Sequence, residues 1–357
     1  MMKILFDLTY VNPKNHTGVS VYAQRLVEGI INSVSSIDIS ILTTKSNCEY
    51  FQNMYPNLDV YLLNKSVKDV NAIISENDID LFFLPFLTLK SVIPLNVITV
   101  GTIHDLQPLR LNSYFKNLIY KKVLYSKLKK LDGIITISDF SKKCIGDVFP
   151  NIKNKVNVIY NSVEAVEKTN TLKYNIDGPF ILNVNAMEKY KNQMSILKAF
   201  ALICDKIPHN LIFKGRENNY WNHELLPFIN DNKLSDRVTI ISEDLTEKEM
   251  ATLYSSADLF VNTSLMEGFG FTPIEAAIYK TPVLTSKKDA LFEITKGNLN
   301  YIENPNDALE ISKKILELLH YGKDWKYLNN ISDYFKDLYS LEKQTTAYVN
   351  YFMQMIK

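Results

Sequence analysis

The chain has 357 residues, 46% hydrophobic and 22% charged, with 40 basic against 39 acidic side chains. Such a composition is globular rather than disordered, the length suits two ordinary domains, and a formal net charge of +1 gives no electrostatic case for nucleic acid. Cys48, Cys144 and Cys204 are far apart and show no C-x-x-C or Cys/His spacing, which predicts reduced thiols and argues against a structural zinc. The start, MMKILFDLTY, lacks the apolar core of a signal peptide, and no run approaches the roughly 18 apolar residues of a membrane span, so a cytoplasmic protein is expected.

Residues 3–8 predict a short buried strand, 12–18 a polar loop and 19–31 a helix, because Val19, Tyr22, Ala23, Leu26, Val27 and Ile30 recur at helical spacing. Strand, loop and helix open a doubly wound α/β domain, with ligands expected at the C-terminal ends of its strands. Apolar runs at 37–42, 59–63, 81–85 and 97–103 alternate with stretches long enough for helices, which predicts a parallel sheet. The last run ends in Thr102-Ile103-His104-Asp105. A lone histidine is more often structural, but one at a strand end can donate a hydrogen bond to a ligand at neutral pH.

Residues 114–131 are the most basic segment, with Lys116, Lys121, Lys122, Lys127, Lys129 and Lys130 among Tyr, Phe, Leu and Val. Two readings stay open for this helix: docking on anionic lipid, at about 1 kcal/mol per basic residue, or a domain helix whose lysines face water. A strand is predicted at 132–138, a capped helix start at Asp139-Phe140-Ser141-Lys142, and a strand at 156–160. The polar run 167–178 then reads as a linker between domains at 1–166 and 179–339, with a final helix over 340–357.

The alternation restarts with a strand at 180–184, a loop ending in Lys191-Asn192, a helix over 193–203, a strand at 237–242 and a helix start at Thr246-Glu247. Residues 257–286, ADLFVNTSLMEGFGFTPIEAAIYKTPVLTS, carry most of the functional information. A buried strand leads into a loop where Gly268 and Gly270 flank Phe269, so the backbone can turn and approach a ligand closely. Thr272 is the expected N-cap and Pro273 the first helical residue, with the helix continuing over 274–279. Amide groups and the positive end of the helix dipole would converge there as an anion site. Glu267 and Glu275 bracket it with seven residues between them. As carboxylates they repel phosphate, so their better use is to accept hydrogen bonds from sugar hydroxyls, about 1.5–3 kcal/mol each. The plainer alternative is a helix-start carboxylate and a solvated loop residue.

In this setting EGFGFTPIE resembles the E-x7-E motif of the retaining glycosyltransferases of family four, a group that includes bacterial surface-polysaccharide enzymes, and the resemblance runs over essentially the whole chain. It implies the GT-B fold: two doubly wound Rossmann-like domains with a donor cleft between them, the acceptor mostly on the first and the final helix packing back toward it. It implies that Glu275 binds the nucleotide ribose and Glu267 the donor-sugar hydroxyls, while the backbone of Phe269, Gly270 and Phe271, between Gly268 and Thr272, cradles the diphosphate. Thr17-Gly18-Val19-Ser20 resembles the family's glycine loop, with one glycine where many relatives have two, and makes Gly18 a phosphate neighbour. The T-x-H-D pattern places His104 against the donor sugar. Relatives typically read G-R-x-x-x-x-K-N where this chain has Asn185-Ala186 before Lys191-Asn192, so Lys191 remains as the phosphate lysine and the arginine is missing. Arg216, in FKGRENN, either compensates or is merely solvated.

The implied activity is retaining, metal-independent transfer of a hexosyl, mannosyl-like group from a nucleotide-diphosphate sugar to a growing lipid-linked glycan in O-antigen, capsule or lipopolysaccharide synthesis. His104 and Glu267 would stand at the catalytic centre. No cofactor beyond the nucleotide sugar is expected, and no metal. The location would be the cytoplasm, or the inner face of the cell membrane if the lysine helix docks there. A non-catalytic or hydrolytic sugar-nucleotide-binding protein of the same fold is the alternative. No G-x-G-x-x-G follows a strand and no G-x-x-x-x-G-K-[ST] occurs, which argues against a dehydrogenase or a P-loop NTPase.

Overall fold

The computed structural model describes residues 1–12, 18–33, 36–63, 66–106, 109, 114–169 and 176–357. These fall into two compact units, Met1–Ser162 with Leu341–Lys357, and Val163–Ser340. Most of the polar loop expected at 12–18, and 170–175 of the expected linker, lie outside the described residues.

The first unit runs β1 (Met2–Asp7), α1 (Gly18–Ser33), β2 (Ile37–Thr43), α2 (Cys48–Met54), β3 (Asp59–Leu62), α3 (Val67–Glu76), β4 (Leu81–Leu84), β5 (Ile98–Ile103), α4 (Tyr114–Leu128), β6 (Gly133–Thr136), α5 (Asp139–Val148) and β7 (Val156–Val158). Among the described residues its strands form one parallel sheet in the order β3-β2-β1-β4-β5-β6-β7. Ile4, Leu5 and Phe6 in β1 are all fully buried. Ile4 and Phe6 join the core layer of α1, and Leu5 joins the opposite layer with Val70, Leu124 and Leu128. Successive residues point to opposite faces, so an uninterrupted apolar run demands helices on both sides of the sheet.

The second unit runs β8 (Phe180–Val184), α6 (Gln193–Ala201), β9 (Asn210–Lys214), α7 (Leu226–Asp231), β10 (Val238–Ile241), α8 (Glu247–Ser256), β11 (Leu259–Asn262), α9 (Phe271–Ile278), β12 (Val283–Ser286), α10 (Asp289–Ile294), β13 (Asn300–Ile302), α11 (Ala308–Tyr321) and α12 (Trp325–Leu338). Its described strands form a second parallel sheet, β10-β9-β8-β11-β12-β13. Thr246 and Glu249 close a reciprocal capping box at the start of α8.

The last helix, α13 (Leu341–Ile356), belongs to the first unit. Phe352 packs edge-on against Phe83 at 4.9 Å. Burying such a side chain contributes about 1.5–3 kcal/mol. Gly29 lets α13 approach α1, since a Cβ there would lie 2.2 Å from Thr345 Oγ1. Among the described residues no helix is long and apolar enough to cross a membrane. Cys48, Cys144 and Cys204 are partly buried thiols outside any disulfide.

Candidate functional site

β8 and β11 are neighbours where the strand order of the second unit reverses, so the loops leaving their C-terminal ends diverge and open a crevice. Two sets of bonds tie these loops together near their bases. The Leu265 amide donates to the Tyr190 carbonyl at 2.8 Å. Asn192 donates from Nδ2 to the Thr263 carbonyl at 3.2 Å, and Thr263 Oγ1 donates back to the Asn192 carbonyl at 2.9 Å. Asn192 has a φ of +61°, a left-handed conformation that asparagine tolerates better than most residues. Lys191 is thereby held so that its Nζ lies 2.7 Å from Glu267 Oε1, with the two side chains only 13% and 9% exposed. Two charges so far out of water are stable as a pair, and removing one strands the other.

Beyond Glu267 the chain turns through Gly270, whose φ is +95° and where a Cβ would lie 2.5 Å from Leu291 Cδ2. Gly270 itself is the N-cap, α9 begins at Phe271, and no side chain caps it. Thr272 and Pro273 therefore sit inside the first turn, which corrects the expectation that Thr272 is the cap. A glycine in the left-handed region swings the chain into the helix without a capping hydroxyl, leaving the first-turn amides untouched by any cap side chain. The Phe269 ring packs inward, 4.9 Å from Phe271 and edge-on to Tyr339 at 5.4 Å.

Glu275 lies in α9, and its Oε2 accepts a 2.6 Å hydrogen bond from the Tyr254 hydroxyl of α8. Burial, and then the Glu275 charge, push the Tyr254 phenol well above its ordinary pKa, so it stays protonated and orients the carboxylate. Tyr279 stacks on Tyr254 at 5.9 Å. The partner role of Tyr254 is not visible in the sequence.

Other residues are placed differently. Arg216 follows β9, one strand away from the reversal, and pairs with Asp244 at 2.8 Å with side chains 64% and 70% exposed. A surface pair of this kind contributes about 0–1 kcal/mol, and it holds Arg216 with Asp244 rather than with Lys191 or Glu267. Ala186 is exposed, and its carbonyl accepts from Gln193 Nε2 at 2.8 Å. Four polar atoms around the C-terminal ends of β8 and β11 and the start of α6, Asn185 Nδ2, Gln193 Oε1, Asn262 Nδ2 and Ser264 Oγ, are buried with no hydrogen-bond partner among the described residues. Unmet groups concentrated beside the Lys191–Glu267 pair are what a polar ligand would satisfy.

In the first unit, Gly18 is the first residue of α1, exposed, and an added Cβ would meet nothing within 4 Å. His104 follows β5, buried edge-on against Tyr22 at 4.7 Å and Phe86 at 5.6 Å. Burial lowers its pKa to about 4, so the ring is neutral at pH 7. Its Nε2 lies 3.1 Å from the Pro85 carbonyl. A carbonyl can only accept, so Nε2 carries the proton and Nδ1 is the acceptor. The expected donation from His104 to a sugar hydroxyl is thus corrected: its N–H is engaged, and Nδ1 can only receive. Asp7, at the end of β1, was not singled out from the sequence. It is buried, its Oδ1 accepts from Thr9 N at 3.0 Å and Thr9 Oγ1 at 2.6 Å, and burial still raises its pKa.

Residues 167–337 match the family model described as glycosyl transferases group 1. The chain is 30% identical over 221 residues to the O-antigen chain mannosyltransferase RfbU of Salmonella typhimurium, a match covering 62% of this chain and 60% of that protein. It is 25% identical over 249 residues to the O-antigen chain mannosyltransferase B of Escherichia coli, covering 67% of this chain and 63% of that one. Among solved structures, the sucrose-phosphate synthase of Thermosynechococcus elongatus superposes with a TM-score of 0.79 at 17% identity, over 99% of both chains. Anabaena HepE in complex with UDP and glucose gives a TM-score of 0.72 at 16% identity, over 99% of this chain and 100% of that one.

Proposed function

We propose that the chain, which has the GT-B fold and matches the group 1 glycosyl transferases model over residues 167–337, is a member of that family and moves a hexosyl group, mannosyl in type, from a nucleotide-diphosphate sugar to a lipid-linked glycan of the O-antigen class. The observation that carries the reading is the Lys191–Glu267 pair at the strand reversal of the second unit, within the family-matched segment. The mannosyltransferase names of the two relatives support the sugar and the glycan class, although the matched regions span only 60% and 63% of those proteins.

In this mechanism the donor diphosphate settles where the Lys191 ammonium and the amides at the start of α9 converge. It takes the ammonium from Glu267, and the released carboxylate turns to hydroxyls of the donor sugar. Glu275, oriented by Tyr254, accepts from the ribose hydroxyls. As the anomeric C–O bond breaks, charge grows on the departing diphosphate, and Lys191 and the amides stabilise it there. The acceptor oxygen bonds to the anomeric carbon on the face the diphosphate leaves, and the hydroxyl proton passes to the leaving phosphate oxygen, so configuration is retained. His104 is assigned to the transferring centre by resemblance, with Nδ1 as acceptor. Metal independence is part of the proposal, because the cationic groups named here supply the leaving-group stabilisation. Gly18 is kept as a phosphate neighbour, Gly268 with the donor loop, and Thr272 contributes its first-turn amide.

We assign α4 to the surface of an anionic membrane. Leu118 and Ile119 are 50% and 67% exposed, beside the exposed Lys121 and Lys122. Leu124 and Leu128 of the same helix are buried, which anchors it to the unit.

The test is incubation with GDP- and UDP-hexoses, EDTA and a synthetic polyprenyl-diphosphate glycan. The expected product is heavier by one hexosyl residue and keeps the donor's anomeric configuration. Inverted product, or activity lost to EDTA and restored by a divalent ion, would overturn the mechanism.

A further inference from the structure

Three contacts set the ring of His104. Two come from the loop after β4: the Pro85 carbonyl holds Nε2–H at 3.1 Å, and Phe86 meets the ring at 5.6 Å. The closest ring contact is Tyr22 of α1, at 4.7 Å and an interplanar angle of 86°. An edge-to-face contact has a direction as well as a distance, so any rotation of Tyr22 moves the surface against which the imidazole rests.

Tyr22 is held in turn at its hydroxyl. That oxygen is hydrogen-bonded to the hydroxyl of Tyr348 on α13, and it lies 3.5 Å from Oγ1 of Thr102, two residues before His104. All three side chains are buried. The Tyr348 ring is itself wedged between Phe83 at 5.6 Å and Phe352 at 5.7 Å, so it gives Tyr22 a fixed anchor. Burial raises both phenols, Tyr22 well above its ordinary value and Tyr348 to about 12, so both stay protonated at neutral pH. Packing alone does not explain the pair, because phenylalanine would fill the same space beside Phe83 and Phe352. Two buried hydroxyls that satisfy each other add orientation, and a satisfied buried network rigidifies what it joins.

We propose that Tyr348, on the last helix and outside the family-matched segment, is a positioning residue for transfer: its hydroxyl fixes Tyr22, and Tyr22 fixes the imidazole of His104. The proposal rests on the reading above that His104 stands at the transferring centre. Neither tyrosine is assigned to a reacting atom, and both act through the histidine ring.

Tyr348→Phe and Tyr22→Phe keep the rings and remove the hydroxyls. In the hexosyl-transfer assay above, each should lower kcat about tenfold and leave the KM for the nucleotide sugar unchanged, because the donor contacts lie in the second unit. On a His104→Ala background, Tyr348→Phe should have no further effect, since its route to the reaction is already gone. A further tenfold loss on that background, or wild-type kcat in both phenylalanine variants, overturns the proposal. Histidine ¹⁵N NMR at pH 7.5, with His104 assigned by its absence from His104→Gln, gives a readout independent of turnover. Wild type should show His104 as a single Nε2–H tautomer. In Tyr348→Phe its nitrogen shifts should move toward a mixture of tautomers, as the ring leaves the Pro85 carbonyl part of the time. Unchanged shifts overturn the proposal whatever happens to kcat. Moved shifts together with wild-type kcat in His104→Ala would refute the place of His104 at the transferring centre and leave the link from Tyr348 to the ring standing.

Discussion

Acid should unfold this protein partly through His104. Burial brings its pKa from the ordinary 6.5 to about 4, so the folded state resists a proton that the unfolded chain accepts near 6.5. The stability contributed by the neutral ring is therefore fully present above pH 6.5 and lost as pH falls toward 4. Linkage over that window gives about 2 kcal/mol of lost stability between pH 7.5 and pH 5 from this one group. Asp7 works in the opposite sense, since burial raises its pKa and protonation relieves it, and His209, also lowered by burial, adds in the same direction as His104. The assay must therefore be differential. Urea unfolding of wild type and His104→Gln at pH 7.5, 6.5, 5.5 and 5.0 isolates the His104 contribution, because the other groups cancel. Wild type should lose about 2 kcal/mol more than the variant across the series. A difference between the two proteins that does not change with pH would refute the reasoning and place the imidazole in contact with water.

Gly270→Ala forces a non-glycine residue to a φ of +95° with its Cβ on Leu291, and should cost about 1–3 kcal/mol in unfolding free energy along with most of the activity. Wild-type Tm and turnover would show that the loop has another accessible conformation. Lys191→Met should weaken nucleotide-sugar binding at least tenfold and lower stability by up to about 3 kcal/mol through the stranded Glu267 carboxylate, whereas Lys191→Met with Glu267→Gln should recover stability without recovering binding. Recovery of both would take the pair out of the donor site. His104→Ala should reduce kcat more than it raises KM, and unchanged kcat would leave the ring a packing residue. Reversing Lys121, Lys122, Lys129 and Lys130 to Glu should reduce sedimentation with anionic vesicles, and equal sedimentation would leave α4 facing water.

Much of the fold was legible because parallel strands buried on both faces are continuous apolar runs, and residues 180–184 coincide with β8. Helix ends were less legible. The start of α9 was placed at Pro273 by capping chemistry, but a left-handed Gly270 starts it at Phe271. α11 and α12 were passed over, although Leu328, Ile331 and Phe335 recur at helical spacing and are buried. In the candidate site the glycine turn could be read locally. The pairing of Lys191 with Glu267 joins residues 76 apart, and that of Tyr254 with Glu275 residues 21 apart, so each depends on which strands and helices are neighbours. The same limit left Arg216 open between two readings: a Gly-Arg at a strand end looks alike whether its strand borders the reversal or lies one place out. The donor atom of His104 was also illegible, since the Pro85 carbonyl that holds it lies on the loop after another strand.

The central claim is that the second unit binds a nucleotide sugar through Lys191, the Gly270 turn and Glu275. Thermal shift of the purified protein against UDP-, GDP-, dTDP- and ADP-sugars in EDTA, with Glu275→Ala beside wild type, tests it most directly. The account predicts a raised Tm with one nucleotide class in wild type and none in the variant. No shift with any class, or the same shift in Glu275→Ala, would contradict it.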